Sequence, residues 1–195
     1  MRVIAGQYRS RPLRSLRGMD VRPTSDRLRE TLFNVLTAGH PDALSGTVWL
    51  DLFAGTGAVG IEALSRGAKE VYFLENSGAA ADTIRQNLRS LGIAGGFKVL
   101  EEPVPRAFWR MERQHIVADV VFMDPPYRMR DAYKDTLRAL AESSVIWAMS
   151  VVVAEHEKKF DPGEEFGPLR RFRRLVQGSV ALSFYRMGSS GDLRV

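Results

Sequence analysis

The chain has 195 residues with a net charge of +5, and its 45% hydrophobic and 26% charged residues are typical of a globular protein with a core. Its length suits one domain with at most a small appendage. It has no cysteine, which excludes disulfides and thiolate metal sites. Neither a signal-peptide segment nor a run of about 18 apolar residues is present, so we expect a soluble, cytoplasmic protein that does not act at a membrane.

The excess of positive charge is concentrated near both ends of the sequence. Residues 1–18 contain five arginines and no acidic residue, and a second cluster comprises Arg170, Arg171, Arg173 and Arg174. Arginine forms forked contacts with phosphate, so these clusters favour a polyanionic partner such as a nucleic acid. The alternative is a general compositional bias toward arginine.

The first 22 residues contain a single apolar run, Val3-Ile4-Ala5, and we predict an arginine-rich N-terminal extension with a short hairpin. Helix N-cap side chains follow at residues 24–26, ahead of apolar residues that recur on one helical face: Leu28, Leu32, Phe33, Val35 and Leu36. Gly39 and Pro41 are predicted to end this helix. We therefore divide the chain into an extension over residues 1–22 and a domain over residues 23–195.

From residue 48 onwards, short apolar segments alternate with helical ones. Strands are predicted at residues 48–53, 71–74, 97–100, 120–123 and 151–154, and helices at residues 58–65, 79–91, 104–112 and 131–141. This α/β alternation predicts a mainly parallel sheet covered on both faces. Segments 172–176 and 180–185, separated by Gln177-Gly178-Ser179, predict an antiparallel C-terminal hairpin that completes a seven-stranded sheet.

A glycine-rich segment, Gly55-Thr56-Gly57-Ala58-Val59-Gly60, follows the first of these strands and satisfies the G-x-G-x-x-G pattern. Such a loop lets the backbone approach a ligand, and the N-terminus of the next helix favours negative charge. Asp51 lies four residues before Gly55, where a carboxylate repels a pyrophosphate but suits a ligand with a positive ammonium group. Glu75 ends the second strand and can hold both hydroxyls of a ribose, or is a solvated strand end.

Two further sets of polar residues give less specific signals. Glu101 and Glu102 close the third strand, where a side chain that contacts adenine would lie, and the alternative is that both are surface charges. The three histidines, His40, His115 and His156, are scattered without the spacing of metal ligands, so no metal site is predicted.

The segment Asp124-Pro125-Pro126-Tyr127 comes directly after the apolar run 120–123, at the carboxyl end of a predicted strand, where open α/β sheets bind ligands. An exocyclic base amine is a poor nucleophile because its lone pair is delocalised into the ring. The Asp124 carboxylate and the Pro125 carbonyl can each accept one N–H of such an amine, which turns its lone pair toward a methyl donor, while Asp124 stabilises the developing positive charge. Tyr127 can stack on the base. The alternative is a strand end followed by a tight turn.

These residues resemble the bacterial small-subunit ribosomal RNA guanine-N2 methyltransferases of the D type, which carry an Asp-Pro-Pro-Tyr motif. The resemblance covers most of the chain and is most specific in residues 22–30, 32–34 and 124–127. It also includes residues 1–6, 51–57, 60–68 and 178–180, together with Glu75 and Asn87. It implies a Rossmann-like, S-adenosylmethionine-dependent methyltransferase fold with an N-terminal hairpin extension. The implied reaction is methylation of N2 of one guanine in 16S rRNA, within an assembled or assembling small subunit.

The resemblance also assigns roles to residues of this sequence. The catalytic residues would be Asp124, Pro125, Pro126 and Tyr127. The cofactor contacts would be Asp51, Phe53, Gly55, Gly57, Ala58, Glu75, Asn76 and Glu102. The expected RNA contacts are Arg2, Arg9, Arg11, Arg14, Arg22, Thr24 and Arg27, and we expect the segment around the last three to close over the cofactor or a flipped base. We expect a monomer that needs no metal.

Four alternatives explain part of the same pattern. An adenine-N6 methyltransferase acting on DNA or RNA uses the same amine chemistry, and Asp124 does not distinguish the two bases. A glutamine-N5 protein methyltransferase is disfavoured because that chemistry is typical of an Asn-Pro-Pro-Tyr loop. An NADP oxidoreductase leaves residues 124–127 without a role, and a non-catalytic RNA-binding factor leaves both motifs without one.

Overall fold

The structure, a computed structural model, describes residues 1–15, 25–38, 40 and 42–188. The chain divides into two compact units, Met1–Pro103 and Val104–Val195. No helix in the described ranges combines the length and hydrophobicity that crossing a bilayer would require.

Three parallel strands form the sheet of the first unit. They are β1 (Val48–Leu52), β2 (Glu70–Leu74) and β3 (Phe97–Leu100), in the order β3-β2-β1. Strands β1 and β2 are buried along nearly their whole length, which explains continuous apolar sequences that lack the alternation of a half-exposed strand. Trp49 of β1 is fully buried and stacks on Phe33, with 5.4 Å between the ring centroids.

Three helices accompany these strands: α1 (Asp26–Leu36), α2 (Ala58–Ser65) and α3 (Gly78–Leu91). Ser25 caps α1, since its hydroxyl accepts a hydrogen bond from the Leu28 amide at 3.2 Å. Gly92 ends α3 in the left-handed conformation, with φ of 74°. The predicted boundaries of α2 are confirmed. The predicted end of α1 at Gly39 and Pro41 lies outside the described residues.

Residues 1–15 form what we call the N-terminal hairpin. A β-bridge joins Arg2 to Pro12, and the Val3 amide donates to the Arg11 carbonyl at 2.9 Å. Val3 and Leu13 bury their side chains, so the hairpin contributes to the core of the first unit. The rest of the predicted extension, residues 16–22, lies outside the described part of the chain.

The second unit contains α4 (Val104–Arg113), α5 (Arg130–Glu142) and five strands in the order β4-β5-β8-β7-β6. The strands are β4 (Ala118–Met123), β5 (Ile146–Glu157), β6 (Glu165–Phe166), β7 (Leu169–Gln177) and β8 (Val180–Met187). Strands β4 and β5 are parallel, and the other pairings are antiparallel.

The predicted α/β class, with parallel strands and an antiparallel C-terminal hairpin, is confirmed. The described residues contain eight strands rather than seven, because β6 has two residues, too few for a periodic sequence signal. Strand β5 is also longer than predicted. It begins at Ile146, and the polar residue Ser150 interrupts the apolar run ahead of the predicted start at residue 151.

Candidate active site

The glycine loop, which we define as residues 53–60, connects β1 to α2 through backbone conformations that favour glycine. Gly55 and Gly57 have φ of 55° and 75°, and Phe53 has φ of 58°, which is unusual for a side chain of its size. A Cβ atom at Gly60 would lie 2.7 Å from the Val71 side chain. The loop therefore requires small residues, both to turn and to let α2 pack against β2.

Asp51 of β1 lies beneath this loop and is only 2% exposed. Its Oδ2 accepts a hydrogen bond from the Gly60 amide at 2.9 Å. Burial raises the pKa of Asp51 to about 8; the Gly60 hydrogen bond opposes this shift, and the nearby charge of Glu75 adds to it. Because of this raised pKa, the buried carboxyl tends to keep its proton. A positively charged group bound beside it would stabilise the ionised form.

Glu75, the residue after β2, joins the glycine loop to the start of α3. One carboxylate oxygen accepts from the Gly55 amide and the other from the Ser77 amide, each at 2.8 Å. Its own amide donates to the Leu100 carbonyl of β3 at 3.1 Å. Both oxygens retain acceptor capacity, so the carboxylate can also receive two hydroxyl groups.

The remaining predicted cofactor residues, Ala58, Asn76 and Glu102, all belong to the first unit. Ala58 begins α2, and Asn76 is exposed directly after Glu75. Glu101 forms an ion pair with Arg85 of α3, whereas Glu102 is buried. The two adjacent glutamates, between which the sequence left the choice open, thus have different environments.

The second unit carries Asp124, Pro125, Pro126 and Tyr127 directly after β4. Asp124 and Tyr127 are half-buried, Pro125 is buried and Pro126 is exposed. The Pro126 carbonyl accepts from the Met129 amide at 2.7 Å, which closes the turn that leads into α5.

Tyr133 of α5 contacts this turn from within the second unit, and sequence reasoning gave it no role. Its fully buried hydroxyl lies 3.2 Å from the Pro125 carbonyl and 3.0 Å from the Glu155 carbonyl, both of which can accept its hydrogen bond. Burial raises the pKa of Tyr133, and the charge of Asp124 raises it further, so the hydroxyl keeps its proton. Tyrosine in an amphipathic helix gives no sequence signal for such a contact, because β5 lies far along the chain.

The predicted RNA contacts on the N-terminal hairpin are exposed but mostly engaged. Arg2 lies 3.7 Å from the Asp26 carboxylate, Arg11 donates to the Ser90 carbonyl at 2.9 Å, and Arg14 donates to Gln86 at 3.1 Å. Within the described ranges, the Arg9 guanidinium makes no such contact. Arg27 of α1 is exposed, while Arg22 and Thr24 lie outside the described residues.

A buried glutamate, also without a role in the sequence analysis, holds the hairpin on α2. The Glu62 carboxylate is fully buried and accepts from the amides of Ile4 and Ala5 at 2.7 and 2.9 Å, and from Arg66 at 2.8 Å. Ser65, one turn along α2, accepts from the Tyr8 amide at 3.0 Å. A charged residue inside the apolar sequence of α2 was the available signal.

Arg29 of α1 is a second buried charge in the first unit. Its guanidinium donates to the carbonyls of Arg2 and Ala58, at 2.7 and 3.2 Å, and to Asp26 at 2.6 Å. It therefore links the N-terminal hairpin, α1 and the first residue of α2.

The described residues contain no group of three or more histidine, aspartate or glutamate side chains arranged to hold a metal.

Comparison with known proteins gives consistent matches over this whole arrangement. The family model described as Conserved hypothetical protein 95 matches residues 1–186. The Ribosomal RNA small subunit methyltransferase D of Escherichia coli is 33% identical over 98% of this chain and 92% of its own. The solved structure of the putative methyltransferase yhhF from Escherichia coli superposes with a TM-score of 0.80, at 31% identity over 97% of this chain and 99% of that one.

A more distant solved structure shares the fold alone. It is an RNA methyltransferase from Salinibacter ruber in complex with S-adenosyl-L-homocysteine, with 15% identity, a TM-score of 0.67, and coverage of 86% of this chain and 95% of that one. The family resemblance and methyltransferase fold expected from the sequence are confirmed. The chain belongs to the Conserved hypothetical protein 95 family and is a relative of the small-subunit rRNA methyltransferase D proteins.

Proposed function

We propose that the protein methylates the exocyclic N2 amine of a guanine in 16S rRNA, using S-adenosylmethionine, in the cytoplasm and within an assembled or assembling small subunit. The observation that carries the proposal is the Asp124-Pro125-Pro126-Tyr127 turn directly after β4, with Tyr133 bonded to the Pro125 carbonyl. Its relatives' names support rRNA as the substrate class.

The residues in and beside the glycine loop fit this cofactor in charge and in hydrogen-bonding capacity. Asp51 offers a buried carboxyl to the ammonium group, and Glu75 offers two oxygens to the ribose hydroxyls. The backbone of Gly55 and Gly57 allows close approach of a ligand, since neither has a side chain. The further contacts would come from Phe53, Ala58, Asn76 and Glu102. When bound, S-adenosylmethionine supplies a methyl group activated by its sulfonium charge.

At the Asp124 turn, the chain would hold the guanine amine in one orientation. The Asp124 carboxylate and the Pro125 carbonyl each accept one N–H, so the nitrogen lone pair points away from both. The ring of Pro125 fixes its own φ, and the Tyr133 hydroxyl restrains its carbonyl, so little motion remains in that acceptor. Asp124 would also stabilise the positive charge that develops on the amine. Tyr127 would stack on the base.

The test is transfer of a labelled methyl group to small subunits from a strain lacking this gene, followed by nucleoside analysis. We expect N2-methylguanosine from the unmodified protein and its loss in Asp124→Ala. The matched control is Asp135→Ala, which removes an exposed carboxylate of α5 and should leave transfer unchanged. If N6-methyladenosine is the product, the target base is adenine and not guanine. If the protein does not bind S-adenosylmethionine, the proposed function is overturned.

A further inference from the structure

The arginine cluster at residues 170–174 divides into paired and unpaired side chains within the second unit. Arg171 donates to Asp161 and to Glu164, each at 2.6 Å, and its side chain is largely buried between them. Arg170 forms an ion pair with Glu165 of β6. The charges of these two arginines are therefore neutralised by neighbouring carboxylates, and they contribute little to the attraction of an outside partner.

Two exposed arginines of the same hairpin have no such partner. Among the described residues, neither Arg173 of β7 nor Arg186 of β8 forms an ion pair or a side-chain hydrogen bond. Arg186 lies over the ring of Phe172, with 4.9 Å between the guanidinium carbon and the ring centroid. Stacking fixes the plane of a guanidinium and leaves its N–H edge free for forked contacts with phosphate.

A β-bulge puts these side chains on one face of the sheet. The register of β7 against β8 shifts between Arg171 and Arg173, which leaves Phe172 as the extra residue. Arg173 lies opposite Phe184, and opposite residues share a face. Arg186 follows Phe184 by two residues and therefore lies on that face as well. Without the bulge, Arg173 would lie on the other face.

Phe172 supports this arrangement, although its own ring remains partly exposed to solvent. Its ring is 45% exposed and packs at a tilt on the buried ring of Phe184, with centroids 6.2 Å apart. The exposed part of this ring is the surface on which the Arg186 guanidinium stacks. We call Phe172, Arg173 and Arg186 the β7–β8 basic face.

We propose that the β7–β8 basic face binds phosphates of the RNA strand that flanks the target nucleotide; this inference rests on the proposed function. Register partners lead in one row from Phe122 of β4 through Val153 and Phe184 to Arg173. Three strand spacings of about 4.8 Å put Arg173 about 14 Å from β4, the strand that ends directly before Asp124. A few nucleotides cover that span, at about 3.4 Å for each stacked nucleotide.

A competing explanation is that the arginines protect an open sheet edge. Strand β6 pairs with β7 only through Glu165 and Phe166, so in the described part of the chain most of the outer edge of β7 is uncovered. Charged residues and bulges on such an edge prevent association with another strand. This explanation predicts self-association, and no effect on RNA binding, when a charge is removed.

The experiment measures the affinity for small subunits from the deletion strain as a function of salt concentration. The variants Arg173→Gln and Arg186→Gln are compared with Arg170→Gln, which loses the same charge from the same face but is already paired with Glu165. We expect the slope of log affinity against log salt to become less negative by roughly 0.7 to 0.9 in each of the first two, and to stay unchanged in the control.

Unchanged slopes in both test variants would overturn the proposal, and self-association in those variants would then identify edge protection. Equal changes in all three variants would also overturn it, because the effect would be one of net charge. Methyl transfer by the unmodified protein distinguishes this proposal from the proposed function. If transfer occurs and the slopes of the test variants are unchanged, only RNA binding by the β7–β8 basic face is overturned. Absence of both binding and transfer removes the proposed function as well.

Discussion

Asn87 donates a hydrogen bond from its side-chain amide to the main-chain carbonyl of Thr56, at 3.0 Å, from the buried face of α3. The same amide group donates to the Arg14 carbonyl at 3.2 Å, and its oxygen accepts from the Arg14 amide at 2.8 Å. One fully buried side chain thus joins the N-terminal hairpin to the glycine loop. The hairpin therefore takes part in shaping the proposed cofactor site.

Replacing Asn87 with alanine is expected to destabilise the protein by about 1–3 kcal/mol, because buried partners lose their bonds. It should also weaken S-adenosylmethionine binding, since Thr56 is no longer held. Thermal unfolding and a binding titration measure the two effects. The control is Gln86→Ala, which removes an exposed neighbouring side chain that accepts a hydrogen bond from the Arg14 guanidinium. Equal behaviour of the two variants would show that the Thr56 contact is unimportant.

Gly6 and Gly46 form a matched pair for testing how closely the hairpin approaches α2. Both have positive φ, 79° and 76°, so alanine pays about the same backbone penalty of 1–2 kcal/mol at either site. A Cβ at Gly6 would overlap the Ser65 carbonyl, whereas at Gly46 it meets nothing within 4 Å. We expect Gly6→Ala to lower the free energy of unfolding well beyond Gly46→Ala in denaturant titration. Similar losses would mean that the hairpin moves away easily.

The raised pKa of Asp51 predicts opposite pH trends for stability and for cofactor binding. The unfolded carboxyl ionises near its ordinary value of 3.8, while the folded one keeps its proton up to about pH 8. The folded state binds more protons within that window, so the free energy of unfolding falls as pH rises through it. Binding of a cationic ammonium group needs the ionised carboxyl and should strengthen over the same range.

Asp51→Asn tests both trends, because the amide oxygen can still accept from Gly60. We expect the variant to be more stable than the unmodified protein near pH 8, with a flatter pH dependence and much weaker S-adenosylmethionine binding. Thermal unfolding between pH 5 and 9 checks the first expectation, and calorimetric titration checks the second. A variant that is less stable at pH 8 would show that the buried carboxyl is not protonated.

Tyr133→Phe removes the hydroxyl that restrains the Pro125 carbonyl and is expected to lower the rate of methyl transfer on the order of tenfold, or about 1.4 kcal/mol in barrier. The stability loss should be about 1 kcal/mol. Tyr185→Phe is the control, since that buried hydroxyl also donates to a carbonyl, of Gly163, at 2.8 Å. If both variants lose the same activity, the Pro125 contact has no special part in the reaction.

The elements that the sequence predicted well are those whose signal is local. The run from β1 to α3 was found within a residue or two, because buried parallel strands are continuously apolar and the helices begin and end at Gly57, Ser77 and Gly92. The same reasoning predicts ligand-binding residues directly after β1 and β2, because the carboxyl ends of parallel strands bind ligands.

What the sequence did not predict depends on contacts far apart along the chain. The hydrogen-bond partners of Tyr133, Glu62 and Asn87 could not be read from the sequence, because they lie on other elements of the fold. The bulge at Phe172 is invisible in a strand that alternates poorly, with four arginines in five positions. Paired and unpaired arginines of one cluster cannot be told apart by composition, because their acidic partners lie in β6 and in the loop before it.

The hydrogen bonds that hold the N-terminal hairpin on α2 and α3 cannot form until those helices have been synthesised. The partners of the hairpin on α2 and α3 follow it by 57 to 79 residues. At a synthesis rate of about 5–20 residues per second, these partner residues are made roughly 3 to 16 seconds after the hairpin. During that interval Val3 and Leu13 remain exposed. If these contacts are absent from the folding transition state, damage to the hairpin will shorten the lifetime of the folded protein more than it delays folding.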